Sequence, residues 1–210
     1  MAFLAVPIAL LAMFQFVNAG NDYSNLVTAR CDKAPDVDWT ESINAYLRRI
    51  PDTITIPGPT EKTWIMGLKT SSIEVTGLGN LWAYKPPHSF CASNRTVIEA
   101  VVFAGDPLGI KVEWKTCTGS RGKLGTKVSP SKLRIYFVAE PTPEDPYRIR
   151  LQNIEPDSLD DPQLYLTGAH PAIISFVQAL GIVGMPHLQL LWSRFIRVDV
   201  MSLIRDDLQI

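Results

Sequence analysis

Few residues in this sequence stand at the spacings that chemistry requires. A serine hydrolase usually carries its nucleophile in a Gly-x-Ser-x-Gly elbow between a strand and a helix, and no such run occurs. Glu99 and Glu113 are the carboxylates to test as a glycosidase pair. Glu113, however, lies between Lys111 and Lys115 on the charged side of an alternating run, where exposed cross-strand ion pairing accounts for it. Gly119-Ser120-Arg121-Gly122-Lys123 lacks the Gly-Lys-Ser/Thr ending of a phosphate loop and opens no helix. It reads as a hairpin turn with a basic tip, solvated or, with Lys127 and Lys132, a local patch for anionic headgroups. Glu155 to Pro162 is acidic but has neither the spacing nor the central glycine of a calcium loop. His88 reads as a surface residue, while His170 and His187 flank prolines at helix starts. No cysteine or histidine pair has zinc-ligand spacing. The expectation is a protein without catalytic residues, cofactor or metal.

The first segment predicts a secreted chain, and that changes how the cysteines are read. Met1 to Ala19 is a short apolar run ending in Val-Asn-Ala-Gly, the pattern of a signal peptide (residues 1–19). The run is shorter than a membrane span needs, and no later segment is long and apolar enough, so no stable span is expected after cleavage. Residues 20–36 form an irregular segment, and residues 37–210 a single α+β domain. In a secreted chain Cys91 and Cys117, flanking two strands and a turn, are a candidate disulfide; closing that loop would stabilise by about 3 kcal/mol. Cys31 is left to be free, to pair with another chain, or to displace one of the other two. Asn94-Arg95-Thr96 is a glycosylation sequon, making Asn94 a candidate glycan site. A formal charge of -1 gives no bulk attraction to nucleic acid.

The elements that must position any site follow from hydrophobic period. Asp38-Trp39-Thr40-Glu41 opens an amphipathic helix carrying Trp39, Ile43, Tyr46, Leu47 and Ile50 on one face, and Pro51 stops it. From Pro57 the period changes to that of strands. Glycines at 67, 77 and 79 interrupt the alternation of Ile65, Ile73, Val75 and Leu78, as bends in a curved sheet do. Thr96–Phe103 is a β-branched strand. Leu108, Ile110, Val112, Trp114 and Thr116 then alternate with Gly109, Lys111, Glu113 and Lys115. Two further alternating runs, around Leu133–Phe137 and Tyr147–Leu151, complete an antiparallel meander with one wet and one apolar face. Residues 172–182 are apolar nearly all round, which predicts burial on more than one side, with Gly181 and Gly184 breaking the helix. Pro186 to Leu208 is the final helix, with Leu188, Leu191, Trp192, Phe195 and Ile196 at i, i+3, i+4, i+7 and i+8.

The order of these elements is similar to that of the mite group-7 allergens and, more distantly, of the takeout, juvenile-hormone-binding and bactericidal/permeability-increasing proteins of the tubular lipid-binding superfamily. The residues carrying the resemblance are Ile65-Met66-Gly67-Leu68 through Ile73-Glu74-Val75-Thr76-Gly77-Leu78, the Leu108–Trp114 strand and the C-terminal helical pair. It extends from Val37 to the end. The resemblance implies an α+β fold with a highly curved antiparallel sheet wrapped around a long C-terminal helix, preceded by the N-terminal amphipathic helix. It also implies an apolar groove for lipid-like ligands and a secreted, allergen-like arthropod protein.

Two functions are carried forward. The first is a non-enzymatic carrier or sensor of a small apolar ligand. Its groove would lie between the inner sheet face (Ile110, Val112, Trp114, Ile135, Phe137) and the last helix (Leu188, Leu191, Trp192, Phe195). The second is a secreted interaction protein on the same fold, meeting a host or immune protein through its surface. In the last helix Asp199 falls in line with the apolar face. Burying it unpaired is costly, so either the stripe drifts until Val200, Leu203 and Ile204 take over, or Asp199 meets a basic partner.

Overall fold

The computed structural model describes residues 37–56, 61–63, 67–93, 95–129 and 131–207. The expected signal peptide and irregular segment, Cys31 and the sequon's Asn94 lie outside the described residues. Helix α1 (Thr40–Leu47) is followed by β1 (Thr53–Thr55), β2 (Glu61–Thr63), β3 (Lys69–Thr76), β4 (Leu81–Ala83), β5 (His88–Ala92) and β6 (Arg95–Ala104). Next come β7 (Leu108–Lys115), β8 (Arg121–Val128), β9 (Lys132–Ala139), β10 (Ile149–Ser158) and β11 (Gln163–Leu166). The chain continues through α2 (Pro171–Val183), α3 (Met185–Phe195), a π-helical turn (Ile196–Val200) and α4 (Met201–Asp207).

The protein is α+β, with antiparallel strands in two sheets and not in one meander. The first sheet runs β1-β3-β7-β8-β11 with β2 also on β3; the second runs β10-β9-β6-β4 with β5 also on β6. Hairpins stay within a sheet (β5–β6, β7–β8, β9–β10), and the connections between them cross from one sheet to the other. The crossings β3–β4 and β6–β7 run side by side, where the Gly105 amide donates to the Asn80 carbonyl at 3.0 Å. Gly77 there has φ +88°, and a Cβ on it would lie 2.4 Å from the Pro107 carbonyl oxygen. Only glycine accommodates both the dihedral and the approach.

Alternation places the inner faces. Leu108, Ile110 and Val112 of β7 are buried, while Glu113 and Lys115 are exposed. Ile98, Ala100 and Val102 of β6 and Leu133, Ile135 and Phe137 of β9 meet Leu108 and Ile110 in one apolar core. Helix α1 adds Trp39, Ile43, Leu47 and Ile50 to that core. Tyr46 lies edge-on to Phe137 with centroids 5.1 Å apart, and burial pushes its phenol up to about 12. Asp38 Oδ1 accepts from the Thr40 amide at 2.9 Å, one residue ahead of the N-cap, which is Trp39 and makes no side-chain cap bond.

Three expectations need correcting. The glycine-rich segment read as a turn is mostly strand β8. Gly122 and Gly125 are there because side chains would strike the Thr167 carbonyl (1.8 Å) and the Ile110 carbonyl (2.5 Å). The acidic connector is largely β10, and its Pro156 is tolerated because β10 is an edge strand with a register shift at that point. Gly181 does not end a helix; it lies inside α2, where a Cβ on it would come within 3.0 Å of Leu164 Cβ.

Of the residues expected to take over the stripe of the final helix, Val200 and Ile204 are buried and Leu203 only partly. Leu188, Trp192, Ile196, Val200 and Ile204 are all buried. At about 3.6 residues per turn, a four-residue interval rotates steadily around an α-helix. The wider π turn at Ile196–Val200 counters that rotation and keeps the stripe on the core. The first half of the run meets β8 through Trp192, whose Nε1 donates to Thr126 Oγ1 at 3.1 Å. The π turn and α4 lie against β10. Asp199 is left half-buried. Burial raises its carboxyl above the usual carboxylate range, against the opposing charge of Arg194.

Candidate functional site

The residues predicted to line a groove come from three elements. Ile110, Val112 and Trp114 project from β7 in the first sheet, Ile135 and Phe137 from β9 in the second, and Leu188, Leu191, Trp192 and Phe195 from α3. Ile110, Ile135, Phe137 and Trp192 share the central core, with Phe195 packed against its edge and edge-to-face with Trp192 at 6.0 Å. Val112 and Leu188 are buried outside that cluster; Trp114 and Leu191 are half-buried. Phe137 and Trp192 are exposed by 0 % and 1 %. A side chain facing a cavity wide enough for water would show area there, so these two are packed against neighbours. Trp114, Leu191 and Phe195 are the half-buried members.

Polar atoms lie on two of these elements, β7 and α3, and on the π turn that follows α3. The Trp114 Nε1, Arg194 Nη2 and Arg197 Nε donors are buried and have no hydrogen-bond partner. Leaving a buried donor unpaired costs on the order of 1–3 kcal/mol, more for a charged group. Arg194 and Arg197 are three residues apart and so share a helix face. The sequence signal was present: two arginines interrupt an apolar helix at i and i+3.

The carboxylates considered for catalysis are held apart. Glu99 is on β6 of the second sheet, 3.6 Å from Arg134; Glu113 is on β7 of the first, 3.6 Å from Lys123. Arg134 also binds Asp157, and that hydrogen bond holds its guanidinium pKa above the usual value. A cavity of about 300 Å³ lies over this group, lined by Tyr84, Lys85, Val101 and Lys132 as well, with Lys132 Nζ 5.0 Å from the Tyr84 ring centroid. Among the described residues no His, Cys, Asp and Glu side chains gather as a metal site. His170 caps α2, its Nδ1 accepting from the Ala172 amide at 3.3 Å.

The expected Cys91–Cys117 bridge does not form. Cys91 is disulfide-bonded, and Cys117 carries a free, exposed thiol. The hairpin reading failed because Cys91 ends β5 in the second sheet while Cys117 follows β7 in the first.

Compared with models of known protein families and with curated proteins, the chain matches none.

Proposed function

We propose that this chain is a secreted, non-enzymatic carrier or sensor of a small apolar ligand bearing a hydrogen-bond acceptor. The ligand would be held where β7 and β9 meet the C-terminal helical run. On this reading the two sheets curve around that run as in the tubular lipid-binding proteins that the element order resembles. The observation supporting it is the set of unpaired buried donors, Trp114 Nε1, Arg194 Nη2 and Arg197 Nε, on elements that also send apolar side chains into the core. Binding sites for small molecules combine apolar walls with a few placed polar groups. A carbonyl, hydroxyl or carboxylate would satisfy such donors, and the alkyl part would enter past Trp114, Leu191 and Phe195.

Displacement of an apolar fluorescent probe by fatty acids and sterols tests this reading. Displacement by an acid, weakened several-fold in Trp114→Phe or Arg197→Met, is the expected result. No probe binding, or displacement indifferent to all three donors, would sink it. The alternative, a protein that acts on a host or immune protein through its surface, is favoured by the exposed Trp82 and Tyr84, clustered with Phe103 beside Lys85 and Lys132. Loss of partner capture in Trp82→Ala with probe binding intact would select it.

A further inference from the structure

Away from the core, the second sheet carries a different set of side chains. Ile98, Ala100 and Val102 of β6 and Leu133 and Ile135 of β9 turn into the core, so Glu99, Val101, Phe103, Lys132 and Arg134 stand on the opposite face. Register aligns them. Trp82 of β4 lies opposite Phe103, Phe103 opposite Lys132, and Val101 opposite Arg134. Tyr84, two residues after Trp82, shares this outer face. The cavity of about 300 Å³ over Arg134 lies here, across the sheet from the apolar ligand site.

The walls of this cavity narrow what it can hold. Arg134 is engaged by Glu99 at 3.6 Å and by Asp157, so both carboxylates have a charge partner yet keep lone pairs for hydroxyl donors. Lys85 and Lys132 have no carboxylate partner among the described residues, and their ammonium groups lie 5.9 Å and 5.0 Å from the Tyr84 ring centroid. Three cations against two carboxylates leave one positive charge over. A hydrocarbon would leave all of these groups without partners. A bare inorganic anion would use the ammonium groups and meet the carboxylates. A molecule with one negative charge and several hydroxyls can use every group.

Trp82 lines a second hollow, of about 410 Å³, and meets Tyr84 of the first edge-on at a centroid distance of 6.0 Å. The polar side chains of this hollow are Asn80 and Asp106, hydrogen-bonded to each other, and it carries no cation. Trp82 and Tyr84 are exposed by 48 % and 46 %. Two polar hollows along an exposed aromatic ridge suit two linked rings whose C–H faces rest on aromatic side chains.

We infer that the outer face of the second sheet binds an acidic oligosaccharide, its carboxylate-bearing ring beside Lys85 and Lys132 and a neutral ring against Trp82. The test is calorimetric titration of the mature protein with a hyaluronan tetrasaccharide, which alternates carboxylate-bearing and neutral rings. Binding is expected, with a neutral chitin tetrasaccharide weaker by about tenfold or more. Lys85→Met and Lys132→Met should each weaken the acidic saccharide about tenfold, and Trp82→Ala should weaken both saccharides several-fold. Lys85 and Trp82 are exposed, so a folding defect in the Lys132 variant would leave the other two to decide. Binding of the apolar probe should be unchanged in Lys85→Met, so this site and the internal one fail separately. The inference is overturned if the tetrasaccharide does not bind, or if the folded variants bind it as the parent does. It is overturned equally if inorganic phosphate or a polyglutamate peptide competes as well as the saccharide, which would make this a plain anion site or the surface for an acidic protein partner.

Discussion

Helix α2 carries Ile173, Ile174, Phe176, Val177, Leu180 and Ile182, yet only Val177 among them is buried. The run from α3 through the π turn to α4 alternates its apolar residues with Gln189, Ser193, Arg194, Arg197 and Asp199, yet buries a stripe from Leu188 to Ile204. The more apolar helix is thus the more exposed one. What differs is the partner. Helix α2 has β11, a four-residue edge strand, whereas the later run faces β8 on one side and β10 on the other. Hydrophobic burial follows the apolar area a neighbour can offer, and composition alone does not report that area.

The contrast can be probed from both sides. Trp192→Ala should have the largest effect, a loss of about 3–5 kcal/mol in denaturant unfolding, because it empties the centre of the stripe and orphans Thr126. Gly122→Ala should come next, at about 1–3 kcal/mol, since its methyl would strike the Thr167 carbonyl. Its signature is local: hydrogen exchange should quicken in β11 and α2 before it does in β6 and β9. Asp199→Asn should stabilise by a few tenths of a kcal/mol at neutral pH, the half-exposed position limiting the gain. The sign follows from the raised carboxyl: the folded chain holds that proton more tightly than the unfolded one. Stability therefore falls as pH rises above the ordinary carboxylate range, and the asparagine variant should lose that part of the fall. Ile182→Ser should change stability least, by under about 0.5 kcal/mol, despite removing a large apolar side chain. A loss as large as that of Trp192→Ala would show that something covers α2 after all.

Much of the strand content was legible because β6, β7 and the first half of β9 alternate between a buried and a more exposed face, even though Tyr136 and Val138 of β9 are buried on the second face. Their partition into two sheets was not, since pairing depends on the crossings at Gly77 and Gly105, and alternation carries no record of which strand lies alongside. Gly122 and Gly125 look like turn residues in the sequence, but close backbone approach inside a sheet demands the same residue. The drift of the last stripe was readable from Asp199, Val200 and Ile204; the π turn that keeps it on the core was not, because i+5 bonding leaves no composition signal. Of the candidate site, the apolar members could be named from spacing. Whether they line space or fill it depends on distances between three elements remote in sequence.

The central claim is that the C-terminal helical run and the sheets hold an apolar ligand with an acceptor group. Native mass spectrometry of the secreted protein before and after organic extraction tests it most directly. The account predicts an adduct of lipid-like mass that extraction removes and that Trp114→Phe together with Arg197→Met diminishes. A single unliganded mass before extraction, in a folded protein that also fails to bind the apolar probe, would contradict it.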